Sequence, residues 1–208
     1  MDTLLKTCGN IFILIFRGYV MPTLKDNDIR IPLIQKLNLQ NEGHDYRIIP
    51  EMAICDGLSR VDIAVANGKL CGYEIKSDAD TLERLESQQK YYNKTFDKVY
   101  IVVGQKYENI IQNHIPDWWG VYIAYYDKKD NIQFKQKKRG RQNKMICADS
   151  LLELLWKNEL VSLLRSYDYK GISGKNRRIL RQIACENLSL EIIKEYTRET
   201  LKKREEWR

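Results

Sequence analysis

The chain reads as an α/β protein: a mixed central sheet flanked by helices in the order αβββαβ, followed by a helical C-terminal extension. Three observations carry this reading. Strand-like runs cluster between residues 46 and 127, punctuated by Asp56-Gly57 and Asn67-Gly68. Two segments of helical period, Asp28–Leu39 and Asp80–Phe96, stand before and after the first three runs. Beyond Asp149 only the helical period remains. Interleaved helices and strands of this kind pack as helices on a sheet, not as a bundle or barrel.

Each element has its own signal. Asp28–Leu39 (DIRIPLIQKLNL) spaces apolar residues at helical intervals behind an acidic front, and Pro32 is expected in the first turn. Tyr46–Cys55, Arg60–Ala66 and Lys69–Lys76 are the first three strands. In Asp80–Phe96, Leu82, Leu85, Tyr92 and Phe96 fall near one helix face, with Ser77-Asp78 or Asp80 as the expected cap. Lys98–Val103 (KVYIVV) reads as a continuous buried strand, and Gly120–Asp127 (GVYIAYYD) as another. Helices are expected over Leu151–Tyr167, Lys175–Cys185 and Leu190–Arg208, the last capped by Ser189. The final two would form either a small helix-turn-helix-like unit or, the preferred reading, a helical cap on the core. The implied division is residues 1–20 as an apolar extension, 21–149 as the core and 150–208 as the helical extension.

Composition excludes several classes. Hydrophobic residues make up 43% and charged residues 30% of 208, too balanced for a disordered or fibrous chain. The uncharged stretch Thr7–Phe16 is ten residues long, well under the roughly 20 needed to span a bilayer, so no membrane span is expected. Five cysteines (Cys8, Cys55, Cys71, Cys147, Cys185) lie far apart without a CxxC pair, which argues for reduced thiols in a cytoplasmic protein. Only two histidines are present, so chemistry would have to rest on carboxylates and lysines.

Charge is concentrated in one place. Residues 128–144 hold eight basic side chains (Lys128, Lys129, Lys135, Lys137, Lys138, Arg139, Arg141, Lys144) against Asp130 alone, an excess equal to the formal +7 of the whole chain. A hairpin or loop carrying them would attract a polyanion, with nucleic acid, DNA first, as the expected partner.

The carboxylates form the second constellation. Strand alternation puts Glu74 and Lys76 on one face and Ile75 on the other. Whether Asp62 in the preceding strand joins them depends on register. A two-residue Asn67-Gly68 turn would aim Asp62 away from Glu74, whereas a three-residue loop or a bulge near Gly72 sets them opposite each other. The odd loop or bulge is the expectation. Strands are about 4.8 Å apart, so opposed carboxylates can share a cation.

Asp62 and Glu74-Ile75-Lys76, with RVDIAV, GYEIKSDADTLERL, QQKYYNKTFDKVYIVV and IPDWWG around them, resemble the PD-(D/E)xK phosphodiesterase superfamily, the restriction-endonuclease-like nucleases, and more closely a family of small uncharacterised bacterial proteins within it. Val61 stands where the superfamily name has proline. The resemblance implies a restriction-endonuclease-like core and a Mg²⁺-dependent deoxyribonuclease, with Mn²⁺ as a substitute ion. It implies Asp62, Glu74, the Ile75 carbonyl and, less closely matched, Glu51 as metal ligands, Lys76 as catalytic lysine and Gln88 as a helix residue facing the active site. For Tyr92 the preferred reading is packing. The competing reading is a nucleic-acid-binding or regulatory module on the same scaffold, without turnover.

Overall fold

The computed structural model describes residues 23–205, so the apolar extension expected over residues 1–20 falls outside it. One six-stranded sheet runs in chain order, β1 (Arg47–Ile54), β2 (Ser59–Ala66), β3 (Leu70–Lys76), β4 (Lys98–Gly104), β5 (Gly120–Tyr126) and β6 (Ile132–Lys138). Strands β1–β2–β3 are antiparallel, β3–β4–β5 parallel, and β5–β6 antiparallel again. The sheet is therefore mixed and flanked by helices in the order the sequence predicts. Among the described residues no helix is long and apolar enough to cross a membrane.

The two faces carry separate cores. Helix α1 (Asp26–Asn41) lays Ile29, Leu33 and Leu37 on Ile63, Val65, Ile75 and Val102. The other face, with Ala64, Val99, Ile101 and Ile123, packs against α2 (Leu85–Thr95), α3 (Ala148–Leu152), α4 (Lys157–Arg165), α5 (Arg177–Asn187) and α6 (Leu190–Lys203). Leu151, Leu163, Leu180, Ile193 and Leu201 share that one core with the strands, so the C-terminal helices cap the sheet.

Several boundaries differ from the periodicity. Helix α1 starts at Asp26, which puts Pro32 in the second turn and not the first. Helix α2 starts at Leu85 because residues before it form a turn: Asp80 accepts hydrogen bonds from the Ser77 N–H and hydroxyl (2.9 and 2.7 Å), and no side chain caps α2. The expected helix Leu151–Tyr167 breaks at Trp156, whose N–H donates to Glu159 at the start of α4. Helix α6 ends at Lys203, and Ser189 caps it as expected, accepting from the Ile192 N–H.

The β2–β3 connection is the expected odd loop. Ala66 pairs with Leu70, leaving Asn67, Gly68 and Lys69 as a three-residue turn in which the Asn67 carboxamide accepts from Lys69 N–H (2.9 Å). The register Ile63↔Tyr73 then brings Asp62 level with Glu74.

Candidate functional site

Two of the expected residues meet in the sheet through backbone chemistry. Asp62 Oδ2 accepts the Ile75 N–H at 2.7 Å, so this carboxylate substitutes for a main-chain partner just past the last β2–β3 pair. Its Oδ1 lies 2.8 Å from an Arg30 guanidinium nitrogen. Arg30 also pairs with Glu51 (2.6 Å) and Asp26 (2.7 Å), and donates to the Asp62 carbonyl. Burial works against the Arg30 charge, but hydrogen bonds to Asp26 and Asp62 outweigh it and hold the guanidinium protonated more firmly than usual.

A distortion in the sheet makes this hub possible. In β1 the residues facing the larger core run Ile49, then Met52 and Ile54; in β2 they run Val61, then Ala64 and Ala66. Both strands lose strict alternation between the same paired levels, Pro50↔Ile63 and Met52↔Val61. Glu51 lies there with φ +53, a left-handed conformation that costs a residue with a side chain about 1 kcal/mol or more. Its carboxylate is clamped by Arg30 and by Arg60 at 2.8 Å. The alternation predicted from sequence could not anticipate this turnover. Arg30 was not among the expected site residues; its position next to the buried Ile29 of α1 was the available signal.

Glu74 and Lys76 share the neighbouring face, as predicted, but they are closed in. Glu74 is 2% and Lys76 6% exposed. Lys76 Nζ lies 2.6 Å from Glu74 Oε1, which also accepts from Gln88 at 2.8 Å. The Tyr92 hydroxyl donates to Glu74 Oε2 at 2.5 Å. Orienting its amide nitrogen toward Glu74 leaves the buried Gln88 Oε1 without a partner. Burial, then the nearby Asp62 charge, raise the pKa of Glu74 against the opposing pull of Lys76. Tyr92 is held neutral by burial and by the same carboxylate.

A cation between Asp62 and Glu74 would need free oxygen lone pairs facing an opening. Here Arg30 and the Ile75 N–H occupy one carboxylate, while Lys76, Gln88 and Tyr92 occupy the other. Among the described residues no group of three or more His, Cys, Asp or Glu is placed to hold a metal ion. A Mg²⁺ ion bound between these two carboxylates would have to displace Arg30 or Lys76. Ile75 enters the cluster by its N–H, and Glu51 reaches Asp62 only through Arg30.

The basic segment is presented quite differently. Strand β6 is an edge strand, and of the eight cations in 128–144 only Lys138 is half-buried; the other seven are exposed. Acidic neighbours compensate few of them. Glu108 stands 3.7 and 3.8 Å from Lys135 and Lys137, and Asp117 stands 3.8 Å from Lys138. A bulge where β6 passes Val121 and Tyr122 turns Lys137 out of register. Trp119, beside this end of the sheet, is fully buried and donates to Asn93, a packing role.

Comparison with known proteins corrects the superfamily expectation. The family model described as Bacteriophage P4 protein cII matches residues 21–207. Protein cII of Enterobacteria phage P4 is 32% identical over 183 residues, covering 87% of this chain and 68% of the relative. No solved structure matches. These matches replace the PD-(D/E)xK assignment, and with it fall the metal-dependent phosphodiesterase function, the Mg²⁺-dependent deoxyribonuclease activity and the description of the chain as a nuclease or hydrolase. The physical reason the motif misled is visible above: an acid and a lysine two apart on a strand share a face in any sheet, and here they neutralise each other in the interior. With all its described strands and helices inside the matched span, the chain belongs to the bacteriophage P4 protein cII family.

Proposed function

We propose that the protein is a regulatory module that binds nucleic acid, with DNA as the first candidate, and does so without turnover. The observation that carries this is the contrast between its two charged clusters. The carboxylates are compensated from within by Arg30 and Lys76, whereas seven cations of the 128–144 segment are exposed on the edge strand β6 and in the segments on either side of it. Lys135 and Lys137 of β6 both lie near Glu108, and Arg139 and Arg141 follow directly where the strand ends, so four exposed cations within seven residues are available to successive phosphates. Contacts of this kind are driven by counterion release and carry little sequence information.

Fluorescence anisotropy of labelled duplex DNA, single-stranded DNA and RNA against the full chain tests the reading. Binding is expected in a range of roughly 1–100 µM at physiological salt and should tighten steeply as salt falls. Reversing charge in K135E/R139E/R141E should abolish it. Failure of all three nucleic acids to bind at 50 mM salt, a concentration on the order of those where phosphate contacts dominate, would overturn the proposal.

A further inference from the structure

The far end of the basic segment does not stop at the sheet edge. Residues 142–144 continue into a cleft of about 440 Å³ between the β2–β3 turn and α6, lined by Lys69, Lys144, Lys194 and Arg198 together with Asp97 and Glu191. These cations come from three separate parts of the chain, and a chain of hydrogen bonds links two of them, Lys69 and Lys194. Lys69 Nζ donates to Gln142 Oε1 (2.8 Å), Gln142 Nε2 donates to Asp97 Oδ1 (3.1 Å), and Lys194 Nζ pairs with that same oxygen (2.9 Å). Asp97 is buried and its other oxygen accepts the Leu70 N–H (2.8 Å), so the acid is turned inward and committed to the protein.

What the cleft shows to solvent is therefore mainly positive. Among the described residues Lys144 and Arg198 have no ion-pair partner, and the exposed Glu191 is 3.8 Å from Lys194. Asn143 anchors the floor by donating to the carbonyls of Asn93 and Phe96 (2.7 and 2.8 Å), so Lys144 projects from a tethered backbone and not from a free loop. With Lys194 paired to the two acids, Lys69, Lys144 and Arg198 are left without a carboxylate partner among the described residues, and the concavity keeps a net positive charge that favours an anionic occupant.

We infer that this cleft is where a phosphodiester backbone is gripped, Lys144 and Arg198 contacting phosphates directly while Lys69 and Lys194 hold the walls. The inference rests on the nucleic-acid reading above and sharpens it: the strand would run from Arg139 and Arg141 on the sheet edge to the exposed side of α6. The C-terminal helices then belong to the interface as well as to the core.

The experiment compares matched double substitutions in the full chain, using the same labelled duplex DNA, single-stranded DNA and RNA at several salt concentrations. K144A/R198A should weaken binding at least tenfold at 100 mM salt and lower the slope of log K against log salt by about two, about one per lost contact. K157A/K170A removes two exposed lysines from α4 and the loop after it and should change affinity less than twofold. A thermal melt of each variant checks that the fold is kept. Wild-type affinity for K144A/R198A, with binding still lost in K135E/R139E/R141E, would overturn the cleft and leave the sheet-edge reading standing. Equal losses in the two double variants would reduce the effect to net charge and also overturn the cleft. Absence of binding by the unaltered protein would overturn both readings together.

Discussion

At the scale of single residues, Glu74 is the informative one. Its pKa is raised by burial and by Asp62, so ionising it costs the folded state more than the unfolded chain. An acid raised in this way is neutral in both states below its ordinary value near 4.5, and its penalty develops as pH rises from there through the folded-state value. Wild-type protein should therefore lose melting temperature relative to E74Q as pH increases from 4.5 to 7, because glutamine keeps the shape and cannot ionise. Parallel melting curves for the two proteins over that range would show that Glu74 is not the source. Placement of these residues was legible beforehand: Asp62 level with Glu74, and Lys76 on the same face, follow from the three-residue turn and strand alternation. Gln88, expected from the resemblance to face this site, donates to Glu74, but the partners Arg30 and Tyr92 were not legible. Arg30 lies 32 positions from Asp62 and Tyr92 lies 18 from Glu74, and no local pattern announces contacts so distant in sequence.

At the scale of elements, the β1–β2 ribbon depends on a helix for its shape. Arg30 of α1 supplies the positive charge for Asp26, Glu51 and Asp62 at the level where both strands turn over. Replacing it in R30M should cost about 2 kcal/mol, less than the 3–5 kcal/mol of a fully buried pair because Glu51 and Asp26 are partly exposed. Urea unfolding measures this, and a loss under about 0.5 kcal/mol would show that solvent compensates the acids well enough. Elements were read correctly where apolar periodicity was strong, as in Lys98–Val103, now β4. They were misjudged where short-range hydrogen bonds compete with the helix, as at Ser77–Asp80 and Trp156. Strand β6 was legible only as a hairpin or loop, because Ile132 and Phe134 are the sole apolar residues in IQFKQKK.

At the scale of the whole molecule, the sheet is open at both sides, with β1 on one margin and β6 on the other. Each margin carries an obstacle to adding a further strand. Pro50 removes an N–H from β1, and lysines line β6. In K135V/K137V the β6 margin would keep only Lys138 as a charge and gain two apolar side chains, and this variant should appear as dimers or larger species in size-exclusion chromatography at concentrations where the unaltered protein elutes as a smaller species. Unchanged elution would mean that the lysines do nothing to keep copies apart.

That margin has a consequence for crowded templates. Mutual repulsion between two copies lasts only while their lysines stay uncompensated, and a polyanion lying along one copy supplies the missing negative charge. On the proposed nucleic-acid reading, neighbours seated on the same strand would then be free to approach side by side, so occupancy itself would promote clustering that the isolated protein resists.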